Sequence, residues 1–413
     1  MKPSNSVSIL FVLLIAPLLI SCTGATGHAM DDPYPSSPFI RHDASSLREW
    51  TGDYERAPAA PQDSSARART VTTAPAALSL LPLLDYVPAE RDQGSSGTCW
   101  VWAGTGALEL AHATGRGIMD RLSIQWFDSN YNGGSGPDWA GNGGTLTKFV
   151  GFYDERKIAV PWSNTNASFA DGNSMERALV PASLIDEVPN YTIAAVKEQR
   201  VQTRGVGQAQ AIANIRAQLD QRRPVFVGLA FPNQGAVSDF LSVWYSGGES
   251  AVWDPSPYDG ARWNPATGAA HAVLCVGCDT TDPENPYWLM LNSMGTGLSG
   301  NRPSGTFRMR MDLDYDATFV HDFAVYPAQW EVVDTAFAAT VIPFPGQSAA
   351  PRDLDGDGVY EDVNGNGRHD FADIVLFFNQ LAWCAATEPV TAFDPNGNGR
   401  VDFADVVMLF NRL

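Results

Sequence analysis

Apolar residues change rhythm several times along the chain, and each change marks a unit. After a single Lys, residues 7–20 form an apolar run broken only by Ser8 and Pro17. That run is short for a bilayer span and has the length of a secretory h-region. Residues 23–77 are rich in Pro, Ala, Ser, Thr and Arg with little apolar periodicity, so 22–77 reads as a linker from the membrane or a short pro-segment, without a long inhibitory helix. From residue 78 the pattern turns globular. Helical spacing predicts helices over 99–114, 145–156 and 210–222, the last ended by Pro224. Apolar runs predict strands over 225–229, 271–278, 287–293, 306–311 and 319–326. Helices first and strands later is an α+β order. A linker over 331–351, with Pro343, Pro345, Gly346 and Pro351, separates 78–330 from a last unit over 352–413.

The first apolar run ends in Leu19-Ile20-Ser21-Cys22, which resembles a lipobox. Residues 1–21 would then be the signal peptide, and Cys22 the lipidated residue holding the protein to the outer face of the membrane. Cleavage near Ala29, which discards Cys22, is the alternative; both leave the mature chain outside the cell. The net charge of −19 excludes a nucleic-acid partner. Residues 350–413 carry eleven acidic residues against four Arg, and the regular spacing of these acids among Gly and Asn points to metal. Cys275 and Cys278 are three apart on a predicted strand, so they face opposite ways and read as unpaired core residues, with Cys384 alone in the tail.

The tail repeats itself. Asp362-Val-Asn-Gly-Asn-Gly-Arg-His-Asp-Phe-Ala-Asp373 recurs 32 positions later as Asp394-Pro-Asn-Gly-Asn-Gly-Arg-Val-Asp-Phe-Ala-Asp405. Each copy places oxygen ligands at loop positions one, three, five, seven, nine and twelve with Gly at six, the EF-hand logic for Ca2+. The candidate ligands are Asp362, Asn364, Asn366, the Arg368 carbonyl, Asp370 and Asp373, then Asp394, Asn396, Asn398, the Arg400 carbonyl, Asp402 and Asp405. Asp353, Asp355 and Asp357 form a third, partial loop. A flexible acidic tail is the plain alternative.

The candidate chemistry lies in four residues. Cys99 opens a predicted helix after Gln93-Gly-Ser-Ser-Gly-Thr, where unpaired N–H groups and the helix dipole favour thiolate. Such a nucleophile needs an imidazole, and His271 begins an apolar strand. Asn292 ends the next strand and can orient the ring; Gln93 can aim its amide at an oxyanion beside the Cys99 N–H. No cofactor is needed for this chemistry.

At these residues the chain resembles papain-like cysteine peptidases. Gln93-Gly94, Gly97, Cys99-Trp100, His271-Ala272-Val273 and Asn292-Ser293 with Gly295-Thr296-Gly297 look like the family's three motif blocks. Leu122-Ser123-x-Gln125 resembles its second helix, and Asn142-Gly143-Gly144 its substrate-backbone strip. In the family, His and Asn follow the nucleophile by roughly 130–150 residues; here they follow by 172 and 193, which implies insertions around 160–205 and 232–268. Two departures stand out. Ser96 and Gly141 replace the cysteines that the resemblance would pair as a disulfide, and Met294 replaces a Trp that shields the His–Asn bond. The resemblance implies a papain-like two-subdomain fold, a helical subdomain and a β-barrel-like one, with Cys99 and His271 on opposite walls of the cleft, cutting protein or peptide substrates. The tail resembles a dockerin, which implies a small all-α module and a cohesin-like partner. A transferase on the same fold, or a non-catalytic surface binding or scaffold protein, remains open.

Overall fold

The computed structural model describes residues 39–61, 75–338 and 341–413. The signal over 1–21 and Cys22 lie outside them.

The helices of the larger part are α1 (Ala44–Arg56), α2 (Cys99–Arg116), α3 (Ile124–Asn130), α4 (Leu146–Arg156), α5 (Gln208–Asp220) and α6 (Gln234–Ser246). The strands are β1 (Ala77–Ser79), β2 (Ile158–Ala159), β3 (Tyr191–Arg200), β4 (Val225–Phe231), β5 (Val252–Trp253), β6 (Ala269–Asp279), β7 (Tyr287–Leu291), β8 (Thr306–Arg310) and β9 (Ala328–Phe337). They form one sheet in the order β2-β3-β9-β4-β6-β7-β8-β5, with β1 added to β6. Each pairing is antiparallel except β5 with β8.

Local chemistry explains these elements. α2 is apolar on nearly every face and is buried between the sheet and the other helices until Gly117, at φ +68°, ends it. Ser123 and Thr145 cap α3 and α4 through their hydroxyls. β4 is Val-Phe-Val-Gly-Leu-Ala-Phe, buried throughout, as its central place between β6 and β9 requires.

Four features depart from the expectation. α1 lies inside 22–77, the stretch read as linker or short pro-segment; Asp43 caps it, and Leu47, Trp50, Thr51 and Tyr54 make its buried stripe. The strand expected over 319–326 reduces to a single bridge between Phe319 and Val325. The strand forms one segment later as β9, across the expected 330 boundary, where buried Gln329 and Glu331 interrupt the apolar run that would announce it. β3 and α6 occupy stretches read as insertions.

The tail folds as α7 (Phe371–Asn379), α8 (Leu381–Thr387) and α9 (Phe403–Phe410), confirming a small helical module. Phe344, Val363, Ile374, Phe377, Phe393 and Leu409 form its core. Asp370 and Asp402 begin α7 and α9 through reciprocal capping boxes with Asp373 and Asp405.

Candidate active site

Cys99 is the first residue of α2, and Thr98 offers no side-chain cap. The Cys99 and Trp100 N–H groups therefore point at the thiol, joined by the Ala272 backbone and the Gln93 amide, while the Val101 N–H turns to the Thr98 carbonyl. All of these favour thiolate, yet burial outweighs them and pushes the thiol up to about 11. The lowered thiol expected from the helix terminus is thus not what this covered cleft produces.

His271 sits on β6, and its Nε2 lies 2.8 Å from Asn292 Oδ1. An amide oxygen only accepts, so Nε2 carries the proton and Nδ1 keeps a lone pair. Nδ1 is buried without a partner, and His271 lines one cavity together with Cys99. Burial pushes the imidazole down to about 4, against the opposing effect of the hydrogen bond it donates to Asn292. The Asn292 oxygen also accepts the Ser293 N–H at 2.9 Å, which fixes the amide.

Gln93 is fully buried in the loop before α2. Its Oε1 accepts from the Ser293 hydroxyl at 2.6 Å, and its Nε2 donates to the Ser96 carbonyl at 2.7 Å. Its backbone N–H donates to the Ser293 carbonyl at 2.8 Å. Ser293 is therefore a site residue that the motif reading left without a task; its adjacency to Asn292 was the available signal. Met294 is buried, and its backbone bridges to Asp92.

The strip over 142–144 also reaches the cleft. Gly144 lies under Trp100, and Gly143 (φ +98°) lies against Ile40. Asn142 turns away: its amide donates to the carbonyls of Gly136 and Pro137, so its side chain braces its own loop.

The cleft is covered from within the chain. Ile40 pairs with Ala270 through two backbone hydrogen bonds of 3.1 and 2.8 Å, one residue from His271. The Phe39 ring stands 5.0 Å from the imidazole. His42 stacks on Trp50 of α1, and Trp50 fills the space that a side chain at Gly228 would take.

In the tail, Asp362 takes the N–H groups of Asn366 and Gly367, and Asp394 those of Asn398 and Gly399. Asp373 and Asp405 are buried, and their carboxyls are held up by burial and by the other loop acids. Buried carboxylates crowded by like charge, with Asn oxygens beside them, fit a hard divalent cation. Asp370 and Asp402 cap their helices through Ala372 and Ala404, and Arg400 turns its side chain to Asp402 at 2.8 Å. In the partial loop, Asp353 and Asp355 gather with Glu361, while Asp357 pairs with Arg412 at 2.8 Å.

A thiol at a helix N-terminus, an imidazole with a free lone pair, and two amides that fix the ring and face the thiol are the groups that thiol-dependent acyl transfer requires. The chain belongs to the papain family: the model for papain family cysteine protease matches residues 84–328. That for the dockerin type I domain matches 360–413. A cysteine proteinase 1 of Zea mays is 26% identical over 223 residues, 51% of this chain and 50% of that protein. A probable cysteine protease of Arabidopsis thaliana is 25% identical over 209 residues, covering 51% and 46%. The chain spans about half the length of these curated relatives. Among solved structures, the bromelain protease of Ananas comosus matches at 17% identity and TM-score 0.43, over 64% of this chain and 99% of that one. The ragweed allergen Amb a 11 cysteine protease matches at 16% and TM-score 0.45, over 70% and 74%.

Proposed function

We propose that this protein is an exported cysteine endopeptidase in which Cys99, His271 and Asn292 hydrolyse peptide bonds and Gln93 holds the oxyanion. The observation that carries this reading is the His271–Asn292 bond of 2.8 Å, which leaves Nδ1 free in the cavity shared with Cys99. Nδ1 takes the thiol proton, and the sulfur attacks the carbonyl carbon. Gln93 Nε2 and the Cys99 N–H stabilise the tetrahedral oxyanion. The protonated imidazole gives its proton to the departing amine, leaving a thioester. Water then attacks that carbonyl, His271 accepts its proton, and the thiol leaves with that proton restored. Gly143 and Gly144 line the substrate strip.

In this reading the chain is latent while residues 39–61 cover the cleft, and displacement of that segment exposes the thiol. The tail, with Ca2+ held by Asp362, Asn364, Asn366, Arg368, Asp370 and Asp373 and by their repeats, docks to a cohesin-like domain. Cys22 anchors the protein to the outer membrane face. The test is labelling by a thiol-directed acyl-epoxide and cleavage of unfolded casein with calcium present. Wild type should do both slowly, Trp50→Ala, whose cover is loosened, should do both faster, and Cys99→Ala neither; wild type and Trp50→Ala both inert in both assays end the peptidase reading.

A further inference from the structure

Asp128, on α3, is fully buried, and neither of its carboxylate oxygens has a hydrogen-bond partner of good geometry. Two groups act on it: the Asp171 carboxylate, from the turn Asp171–Asn173, and the Trp139 indole, from the segment before the substrate strip. Among the described residues no Lys, Arg or His acts on it. Asp171 is buried too, but it is well served: Gln125 of α3 donates to one oxygen at 2.6 Å, and the Leu179 N–H to the other at 2.7 Å. Two buried carboxylates facing each other without a cation cannot both ionise. Asp128 has no such donors, and burial, then the facing Asp171, hold its carboxyl well up, so the proton belongs to Asp128.

The residue after Asp171 reaches the catalytic loop. The Gly172 carbonyl accepts the Ser95 N–H at 2.6 Å and the Ser95 hydroxyl at 3.2 Å. Gly94 (φ +60°) lies so close to it that any Cβ would collide. This is the loop that aims Gln93. On the other side, Trp139 packs over Gly141, whose carbonyl accepts the Gly97 N–H at 2.9 Å, two residues before Cys99.

We propose that Asp128 and Asp171 share one proton, and that this acid–carboxylate pair positions the oxyanion loop by holding Gly172 against Gly94 and Ser95. The pair touches no substrate and acts through Gln93. Loss of the shared proton sets two negative charges against each other, drives the 171–173 turn off the loop and misplaces the Gln93 amide. This inference rests on the peptidase reading.

The test is steady-state hydrolysis of a fluorogenic peptidyl amide by the full chain with calcium, from about pH 5 to 10, with melting curves for each variant. Asp128→Asn supplies a permanent donor in place of the acid. It should fold, keep kcat within about twofold at neutral pH, and lose a fall in kcat that wild type shows on the alkaline side. Asp171→Asn reverses the donor and acceptor and strips the charge from Gln125 and Leu179. It should lower kcat by about 100-fold with KM little changed, as expected for a misplacement near 1 Å. Equal loss in the two variants, superimposable pH profiles of wild type and Asp128→Asn, or failure of Asp128→Asn to fold overturns the proposal and leaves the peptidase reading standing. A wild type that is inert together with Trp50→Ala removes both.

Discussion

Removing the Trp50 ring should open the cleft. Trp50 is the apolar anchor of α1: it is buried with Leu47 against Ala230, Trp263 and Ala270. The polar ties of α1 are weaker. Lys148 and Glu49 pair at 3.1 Å, but both are partly exposed, so the pair contributes at most about 1 kcal/mol. Asp53 accepts from the Thr145 hydroxyl at 2.8 Å, a single bond of about 1 kcal/mol. Truncating a buried Trp to Ala costs about 3–5 kcal/mol. In a variant whose sheet stays folded, most of that loss falls on the balance between covered and open cleft. At about 1.4 kcal/mol per tenfold, the open fraction should rise by about 100-fold or more.

The chemistry magnifies the contrast. With the cleft covered, burial holds the thiol at about 11 and the imidazole at about 4, so both are neutral at pH 7. Uncovering restores water to both groups, and the N–H groups around the sulfur then favour thiolate. The assay is the second-order rate of Cys99 labelling by an acyl-epoxide at pH 7, in wild type, Trp50→Ala and Glu49→Ala. Trp50→Ala should label about 100-fold faster, and Glu49→Ala less than about fivefold faster. Equal rates for wild type and a Trp50→Ala protein whose sheet still melts cooperatively would refute the reasoning.

Gln93→Ala should lower kcat by about 10²–10³-fold with a smaller change in KM, measured by steady-state peptide hydrolysis, because an oxyanion donor acts only in the transition state. Glu331 is held up to about 8 by burial, then by Glu198 and Asp53, against Arg200. Its folded value lies above the ordinary 4.5, so its contribution to stability is full at low pH and is lost as pH rises from there toward about 8. Glu331→Gln should therefore show a smaller drop in melting temperature over that window than wild type. Calcium should bind the tail of the full chain with a stoichiometry of about two, and Asp373→Asn should remove about one site by titration calorimetry. A stoichiometry near zero in wild type would discard the calcium module.

What was legible in the sequence follows from how far each residue's partners lie along the chain. The helix that carries Cys99, the strand that carries His271 and the calcium loops are local patterns, and α2 and β6 lie where the spacing put them. The cover on the cleft was harder to read. Leu47, Trp50, Thr51 and Tyr54 have helical spacing, but about two turns of stripe inside a Pro- and Ser-rich stretch is a weak signal. Ile40 draws its meaning from Ala270, 230 positions away. β9 was displaced because its inward-facing Gln329 and Glu331 look like surface residues, and only the pairing with β3 and β4 shows them buried.

The paired absence of cysteine at Ser96 and Gly141 also has a physical reason. A side chain at Gly141 would collide with the Trp139 ring, which packs over it, so a cysteine there is excluded by volume. The connection a disulfide would make is replaced by the Gly97–Gly141 backbone bond and by the Trp100 indole N–H, which donates to the Ala140 carbonyl at 3.0 Å. The four described cysteines are free and buried. The loop before Cys99 is thus held by glycines that allow close backbone approach and by buried hydrogen bonds, each worth about 1 kcal/mol. Such a loop keeps its shape only while every partner stays in register. In the proposed mechanism, the neighbours of Gly172 and Gly141, rather than a covalent link, set how well Gln93 and Cys99 meet a substrate.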